Sequence, residues 1–339
     1  VGIFLYKSDE LLRRRGYRRP LLAVHSRAGV ARVAKTIALN TYNSGPVAGL
    51  VGCARMAANL YGIKDFASVD VGGTSVDIGV VKGGILPFAR EPDVEGTKVG
   101  IPMVTLHSAS GGGGSIVHVT PDKQGLQVGP QSAGAIPGPS CYDLGGSEAT
   151  VTDADVLLGY INPDYFLGGR RRLVKERAQA IFQRKVAQRL DVSLEQAAWQ
   201  AIRRAEEDVV AQLRLRIEDV GMRPTDVVLF AFGGGGGLRC CAYASALGIS
   251  RVMAFPYNGV ASAAGIATMD VEHFYDVFIG LPLADSSAVV QRYNDAVESM
   301  TAQAVRDMRG EGFDHASIRY TVEVMVHGHG QEAVVPIPA

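Results

Sequence analysis

The octet from Asp70 to Asp77, D-V-G-G-T-S-V-D, lies between two short apolar runs and constrains the fold more than any other segment. The runs at residues 66–69 and 78–81 are rich in β-branched residues, which predicts two buried strands. The glycines between them predict a tight hairpin whose backbone N–H groups converge, helped by close approach and positive φ. Such a turn can bind phosphate, whereas a plain glycine hairpin with flanking aspartates is the alternative.

The first candidate site residues come from this hairpin. Gly72, Gly73 and Thr74 are the predicted phosphate-binding residues. Asp70 and Asp77 repel phosphate, but carboxylates suit a magnesium ion that bridges phosphates, or a water that must be oriented. Both aspartates are therefore candidate catalytic residues, and Asp70 is the candidate metal ligand.

A second glycine loop follows another predicted strand. Residues 227–232 form an apolar run that leads into G-G-G-G-G-L-R at 233–239 and then an alanine-rich helix. Strand, glycine loop and helix together direct a helix N-terminus and bare amides at a phosphate or nucleoside. Arg239 could stack on a purine or pair with phosphate, and a solvated arginine is the alternative. The candidate cofactor-binding residues here are Gly233, Gly234, Gly235, Gly236 and Arg239.

The remaining patterns predict the domain organisation. One α/β lobe is expected over residues 1–280, with a Gly/Pro-rich loop layer at 83–150 and a helical stretch at 171–220 broken near 191–193. A small-residue helix is expected at 47–61, before the hairpin. The sequence pattern changes at about residue 281, to a helix followed by a strand, which predicts the start of a further domain over 281–339.

Charge and cysteine usage narrow the class of protein. Lys+Arg and Asp+Glu each total 34, which argues against nucleic-acid and membrane partners. The four cysteines lack C-x-x-C spacing, so we expect reduced thiols and a cytoplasmic location. The chain begins at Val1 and ends in a strand-like run, so we expect an interior piece of a longer protein.

Other polar residues are weaker candidates. Thr152, Asp153 and Asp155 are predicted to cap a helix, with contact to metal or substrate as the alternative. A single histidine is more often a structural residue than a catalytic one. We therefore expect structural roles for His25, His107 and His118, with catalysis as the alternative. His327 and His329 would share one face of a strand and could bind a metal.

Several motifs together resemble the hydantoinase A / 5-oxoprolinase / acetone carboxylase family from about residue 20 to 280. They are S-G-P-V-A-G at 44–49, the octet, G-G-G-S-I at 112–116, V-G-P-Q-S-A-G-A-I-P-G-P-S-C-Y at 128–142, T-V-T-D-A-D-V-L-L-G at 150–159 and A-F-G-G-G-G-G-L at 231–238. The resemblance implies the second half of an actin-like ATPase lobe of the ribonuclease-H-like type. In that fold the octet is a phosphate loop and the later glycine loop holds adenosine.

The resemblance also implies an activity, cofactors and partners. Family members use ATP, with Mg²⁺ or Mn²⁺, to phosphorylate a ketone or amide oxygen, usually in complex with a hydantoinase B-like subunit and, in carboxylases, further subunits. We expect a subunit of a ketone carboxylase acting on a ketone and bicarbonate, since the basic stretch at 25–36 suits an anionic substrate. An ATP-dependent hydantoinase- or oxoprolinase-type hydrolase and a non-catalytic scaffold are the alternatives.

The chain departs from the family pattern in two respects. The family commonly has A-F-G-G-A-G-P-L-H at the second loop, so Gly235 and Gly237 replace alanine and proline, and Arg239 replaces histidine. The family's amino-terminal half, with its own phosphate loop, is not among these 339 residues. The resemblance therefore implies that this chain supplies half of an ATP cleft.

Overall fold

The computed structural model describes residues 1–122, 125–280, 282, 287–313, 318–328 and 331–337. Its α-helices within these ranges are α1 (Gly2–Arg14), α2 (Ser44–Tyr61), α3 (Val151–Leu157), α4 (Lys175–Phe182), α5 (Gln188–Leu190), α6 (Leu194–Asp219), α7 (Gly236–Leu247), α8 (Ala261–Ile266) and α9 (Ser287–Glu311). Its strands are β1 (Leu22–Val24), β2 (Val30–Arg32), β3 (Phe66–Val71), β4 (Val76–Val81), β5 (Phe88–Ala89), β6 (Asp93–Val94), β7 (Thr97–Lys98), β8 (Met103–Val104), β9 (His107–Ala109), β10 (Ser115–Val119), β11 (Leu126–Ser132), β12 (Val228–Phe232), β13 (Val252–Met253), β14 (Val322–Gly328) and β15 (Gln331–Ile337). Among the described helices, none combines the length and the apolar character that a membrane span requires.

A mixed sheet of five strands is the largest in the described ranges, with the order β13-β12-β3-β4-β9. Strands β13, β12 and β3 are parallel, whereas β4 and β9 run antiparallel to their neighbours. The β3–β4 ladder continues to the pair Val71–Val76, which confirms the hairpin predicted around the octet. Because β3 and β12 are parallel neighbours, their carboxyl ends lie at the same edge of the sheet.

Both faces of this sheet are covered, which explains its continuous apolar strands. On one face, Ala67, Val69 and Val71 join a core with residues of α6 and α7, including Leu213 and Tyr243. On the other face, a second core holds residues of α2, the opposite side of β3 and the aromatic residues of β12. Successive side chains of a strand point to opposite faces, so β3 contributes to both cores.

The small-residue helix predicted before the hairpin is α2, and it packs closely on α8. A β-carbon on Gly52 would come within 2.5 Å of the Gly265 Cα atom. A β-carbon on Gly265 would in turn overlap the Ala48 carbonyl oxygen. The glycines therefore allow the two helix backbones to touch.

The Gly/Pro-rich segment forms short two-stranded sheets, β5–β8, β6–β7 and β10–β11, as the loop-rich interpretation predicts. The helical stretch at 171–220 also breaks where predicted. Asp191 adopts a left-handed conformation after α5, and the Ser193 side chain caps α6 by accepting from the Gln196 amide. Residues Gln183–Ala187 form a π-helical turn between α4 and α5.

The chain divides into two compact units. One comprises Val1–His25, Gly29–Tyr42 and Asp270–Ala339, and the other comprises Ser26–Ala28 and Asn43–Met269. These units group the amino-terminal residues with the carboxyl-terminal segment, so they do not follow the predicted boundary at residue 280, which stays a prediction. The larger unit holds the five-stranded sheet and every glycine loop discussed below.

Candidate functional site

The two predicted glycine loops leave the same edge of the sheet from neighbouring strands. Asp70 of β3 is in register with Phe232 of β12; the second loop begins directly after Phe232, and the first begins one residue further along, after Val71. The Gly235 amide donates to the Val71 carbonyl at 3.0 Å, which ties the second loop to the first. The two loops are direct neighbours because β12 pairs with β3.

The turn at 72–75 leaves backbone donors exposed. The Gly72 amide donates to the Ser75 carbonyl at 3.0 Å, so Gly73 and Thr74 form a two-residue turn. The expectation that Gly72 and Gly73 adopt positive φ is wrong, since neither does. Gly73 and Thr74 are exposed, and no acceptor among the described residues receives their N–H groups.

A third glycine run, at 111–114, contacts this turn. The Gly113 and Gly114 amides donate to the Gly72 and Gly73 carbonyls at 3.0 and 2.5 Å. Thr152 of α3 then holds the Gly113 carbonyl with both its amide and its hydroxyl, each at 2.8 Å. The carbonyls of Gly72 and Gly73 are thus satisfied by protein, whereas the amides of Gly73 and Thr74 have no acceptor among the described residues. This run belongs to a family motif in the sequence, but no site residue is predicted from it.

The two predicted catalytic aspartates are cross-strand neighbours. Asp70 and Asp77 pair directly in the β3–β4 ladder, and both are half-buried. Burial raises the pKa of Asp70, and the neighbouring Asp77 raises it further, while burial alone raises the pKa of Asp77. Serine hydroxyls oppose these shifts: Ser262 donates to Asp70 at 3.4 Å and Ser108 donates to Asp77. Sequence reasoning missed both serines, which lie far from the octet in the chain.

The glycines divide into those that the protein's own packing requires and those that it does not. Gly233 has a φ of +79°, and a β-carbon there would overlap Asp70 Oδ1. A β-carbon at Gly235 would lie 2.7 Å from the Val71 Cγ1 atom. By contrast, added β-carbons at Gly73 and Gly234 would meet nothing within 4 Å, and neither residue has positive φ.

This arrangement fits a magnesium nucleotide. Bare backbone at Gly73 and Gly234 leaves space for close approach, and the free amides of the turn supply donors for phosphate oxygens. The Asp70–Asp77 pair supplies the hard oxygen ligands that Mg²⁺ prefers, and a cation there would offset the repulsion that raises the Asp70 pKa.

Arg239, on the first turns of α7, does not face solvent. Its guanidinium Nη2 lies 2.5 Å from Asp155 Oδ1, and its Nη1 lies 3.9 Å from Glu206 Oε1. The side chains of Arg239 and Asp155 are 3% and 4% exposed. The solvated alternative for Arg239 is therefore wrong, and its predicted contact with a nucleotide stays a prediction.

The predicted capping role of Asp155 is wrong, since Thr150 and Asp153 form the capping box of α3. Asp153 is fully buried and accepts from the backbone amides of Cys141 at 2.8 Å and Ser140 at 3.2 Å. Its carboxylate thereby fastens the Gly/Pro-rich segment to the start of α3. These bonds account for Asp153 as a structural residue.

A comparison with family models decides the family. The model for hydantoinase/oxoprolinase matches residues 5–275. The chain belongs to the hydantoinase/oxoprolinase family. The resemblance inferred from the glycine motifs is thereby confirmed.

Known members of the hydantoinase/oxoprolinase family extend this result. The chain is 37% identical to the acetophenone carboxylase gamma subunit of Aromatoleum aromaticum over 94% of its own length and 44% of that protein. It is 34% identical to the caprolactamase subunit alpha of Pseudomonas jessenii, over 99% of its length and 49% of that protein. It superposes on a nucleotide-free acetone carboxylase structure with a TM-score of 0.86 at 26% identity, covering 99% of this chain and 48% of the other. The chain thus spans about half the length of the relatives it matches.

The departures from the hydantoinase/oxoprolinase pattern have different structural consequences. At position 235, where the pattern has alanine, a β-carbon would press on Val71. At position 237, where it has proline, an added β-carbon would meet open space. At position 239, arginine in place of histidine forms the buried pair with Asp155.

The remaining candidates have no shared site. Among the described residues, no three His, Cys, Asp or Glu side chains are placed to hold a metal ion. His25 is buried and its Nε2 lies 2.9 Å from the Thr36 hydroxyl, while burial lowers the pKa of His107. His118 lies in β10 and His327 lies in β14, whereas His329 lies outside the described residues. All four cysteines are free thiols, of which Cys241 is exposed.

The positive field expected from residues 25–36 is offset by carboxylates. Arg32 lies 3.2 Å from Glu311, whose side chain is fully buried, and Lys35 lies 2.8 Å from Asp307. These ion pairs belong to the smaller unit. The basic stretch therefore gives no reason to prefer an anionic substrate.

Proposed function

We propose that this chain is the part of an ATP-dependent ketone carboxylase subunit that binds the nucleotide phosphates. The observation that carries the proposal is the pairing of exposed, unhindered glycines with two carboxylates at one sheet edge: Gly73 and Gly234 flank Asp70 and Asp77. Glycine is conformationally costly, so bare backbone that packing does not require is best explained by a ligand that approaches it.

We infer an actin-like, ribonuclease-H-like lobe for the larger unit. Numbered along the chain, the five strands of its sheet stand in the order 5-4-1-2-3, with the second antiparallel to the first and the fourth parallel to it. In such a lobe, the glycine turn between the first two strands would be the phosphate loop and the glycine loop after the fourth would hold adenosine, as the family resemblance implies. This topology supports the predicted fold class.

Within this proposal each residue has a defined role. The amides of Gly73 and Thr74 would donate hydrogen bonds to phosphate oxygens, and Asp70 and Asp77 would hold the metal ion. Bound ATP would supply a phosphoryl group that activates a ketone oxygen. Ser108 and Ser262 fix the carboxylates by hydrogen bonds, so their oxygens are oriented before a ligand arrives.

The carboxylase reading rests on the 37% identity to the acetophenone carboxylase subunit and on the 0.86 TM-score with acetone carboxylase. The test uses the full-length protein with its partner subunits, among which we propose a hydantoinase B-like subunit. A carboxylase should consume ATP productively only when ketone and bicarbonate are both present. ATP consumption that is independent of bicarbonate but requires a lactam or cyclic imide would contradict the proposal.

That second outcome would support an ATP-dependent cyclic amide hydrolase, which the 34% identity to a caprolactamase subunit favours as the alternative. Turnover that is unaffected when Asp70 or Asp77 is replaced would instead support a scaffold role, with catalysis in another subunit. Because the two aspartates would hold the metal in either enzyme, the bicarbonate requirement separates the two enzymes, and the aspartate variants separate an enzyme from a scaffold.

A further inference from the structure

One short helix, α3, contacts both halves of the proposed nucleotide site. At its first turn, Thr152 holds the Gly113 carbonyl, and Gly113 in turn holds the Gly72 carbonyl of the phosphate turn. At its next turn, Asp155 binds Arg239, which lies just after the second glycine loop on α7. The two loops are therefore linked through α3 as well as through the sheet.

We infer that the Asp155–Arg239 ion pair is a positioning pair, which holds the glycine loop at 233–236 at a fixed place relative to the phosphate turn at 72–75. The inference rests on the proposed nucleotide-binding function. In this inference the two residues act by placing the loop, since both side chains are almost fully buried.

The chemistry of the pair supports positioning rather than plain stabilisation. A buried ion pair is a weak source of stability, because two charges lose their hydration when they are enclosed. Its geometry is nevertheless strict, since the guanidinium is a planar fork with fixed donor directions. A shift of α7 along α3 would break the 2.5 Å contact and leave a charge buried without a partner.

The surroundings of Arg239 make this geometry more demanding. Glu206 of α6 approaches the other guanidinium nitrogen only to 3.9 Å, and Nη1 has no hydrogen-bond partner among the described residues. Tyr243 is fully buried on the next turn of α7. Asp155 is thus the one close carboxylate partner of Arg239 in the described structure, and the orientation of the first turns of α7 depends on it.

The test compares Asp155→Asn and Arg239→Lys with Val156→Ala in the full-length protein. Val156 lies on the same helix and is 1% exposed, but it packs in a separate apolar cluster and so controls for general loosening of α3. We measure the affinity for a fluorescent ATP analogue, the thermal midpoint, and backbone hydrogen exchange at residues 72–75 and 233–236.

We expect Asp155→Asn and Arg239→Lys each to weaken the affinity for the ATP analogue about tenfold or more, with faster exchange at residues 233–236. The double variant should lose little more than either single variant, because both changes break one contact. Val156→Ala should lower the thermal midpoint without this loss of affinity. Equal loss of affinity in Val156→Ala at the same drop in midpoint would overturn the inference.

Failure of the proposed nucleotide-binding function can be distinguished from failure of the positioning pair. If the unaltered protein binds no ATP analogue, the nucleotide proposal fails, and hydrogen exchange alone judges the positioning pair. Unchanged exchange at residues 233–236 in both Asp155→Asn and Arg239→Lys would then reject it.

Discussion

Gly233 lies against the carboxylate of Asp70 so closely that a β-carbon on the glycine would overlap the Asp70 Oδ1 atom. The Val71 backbone closes the other sides of the same space, with its oxygen and nitrogen 2.6 and 2.8 Å from that β-carbon. The glycine loop and the candidate metal ligand therefore share one packing constraint. A larger side chain at position 233 would therefore displace either the Asp70 carboxylate or the loop itself.

We expect Gly233→Ala to lower the free energy of unfolding by about 2 kcal/mol or more, because overpacking costs about 1–3 kcal/mol and the left-handed backbone adds about 1 kcal/mol for alanine. Urea denaturation measures this loss. Gly234→Ala is the matched control, since it adds the same atom into open space. It should keep the stability within about 0.5 kcal/mol while weakening nucleotide binding, and a normal affinity in this variant would argue against a ligand at Gly234.

Replacing Asp70 with asparagine should separate function from stability. The pKa of Asp70 is raised in the folded protein, so the charged form is disfavoured there and the contribution of this group to stability falls as the pH rises through the raised value. Asp70→Asn should therefore leave the thermal midpoint at pH 7 unchanged or higher. ATP turnover should fall on the order of 100-fold or more, because placed charge is central to phosphoryl transfer. Glu95→Gln, which removes an exposed carboxylate, should change neither quantity.

The Asp155–Arg239 pair predicts an unusual pH dependence of stability. Arg239, Glu206 and Tyr243 face Asp155, and burial raises the pKa of Asp155 from 3.8 to about 6 although Arg239 opposes the shift. The folded state thus binds this proton more tightly than the unfolded state. The stability from this group is fully present below its unfolded pKa and is lost as the pH rises through about 6.

Urea denaturation from pH 4 to 7 measures this effect as the difference between the unaltered protein and Asp155→Asn. The difference should decrease as the pH rises. Glu206→Gln should move the decrease to lower pH, because the negative charge of Glu206 contributes to the raised pKa of Asp155. A difference that is independent of pH would contradict the raised pKa of Asp155.

Asp153 should behave as a structural residue. Asp153→Ala would leave the buried amides of Ser140, Cys141 and Thr150 without their acceptor, so we expect a loss of about 3–5 kcal/mol in the free energy of unfolding. Glu91→Ala, which removes an exposed carboxylate from the same Gly/Pro-rich segment, serves as the comparison and should stay within about 0.5 kcal/mol of the unaltered protein. A small loss in Asp153→Ala, together with a specific loss of ATP turnover, would instead place Asp153 in the active site.

Local patterns in the sequence determined the elements on which the site is built. The β-branched runs around the octet specify the hairpin, and the run of small residues before it specifies the helix α2. The helix break at 191–193 is equally local, because Ser193 caps α6 through a bond to a residue three positions away. These features depend on neighbours in the chain, and the sequence alone was enough to predict them.

The tertiary structure alone decided which distant residues meet. The pairing of β12 with β3 brings Gly233 against Asp70, and the return of α7 to α3 buries Arg239 beside Asp155. In the smaller unit, Glu311 and Asp307 neutralise Arg32 and Lys35, which the sequence suggested as a positive field. The periodicity of a segment specifies its own conformation and its buried face. It carries no record of which carboxylate another part of the chain will place beside a given cation, and burial and ion pairing depend on that placement.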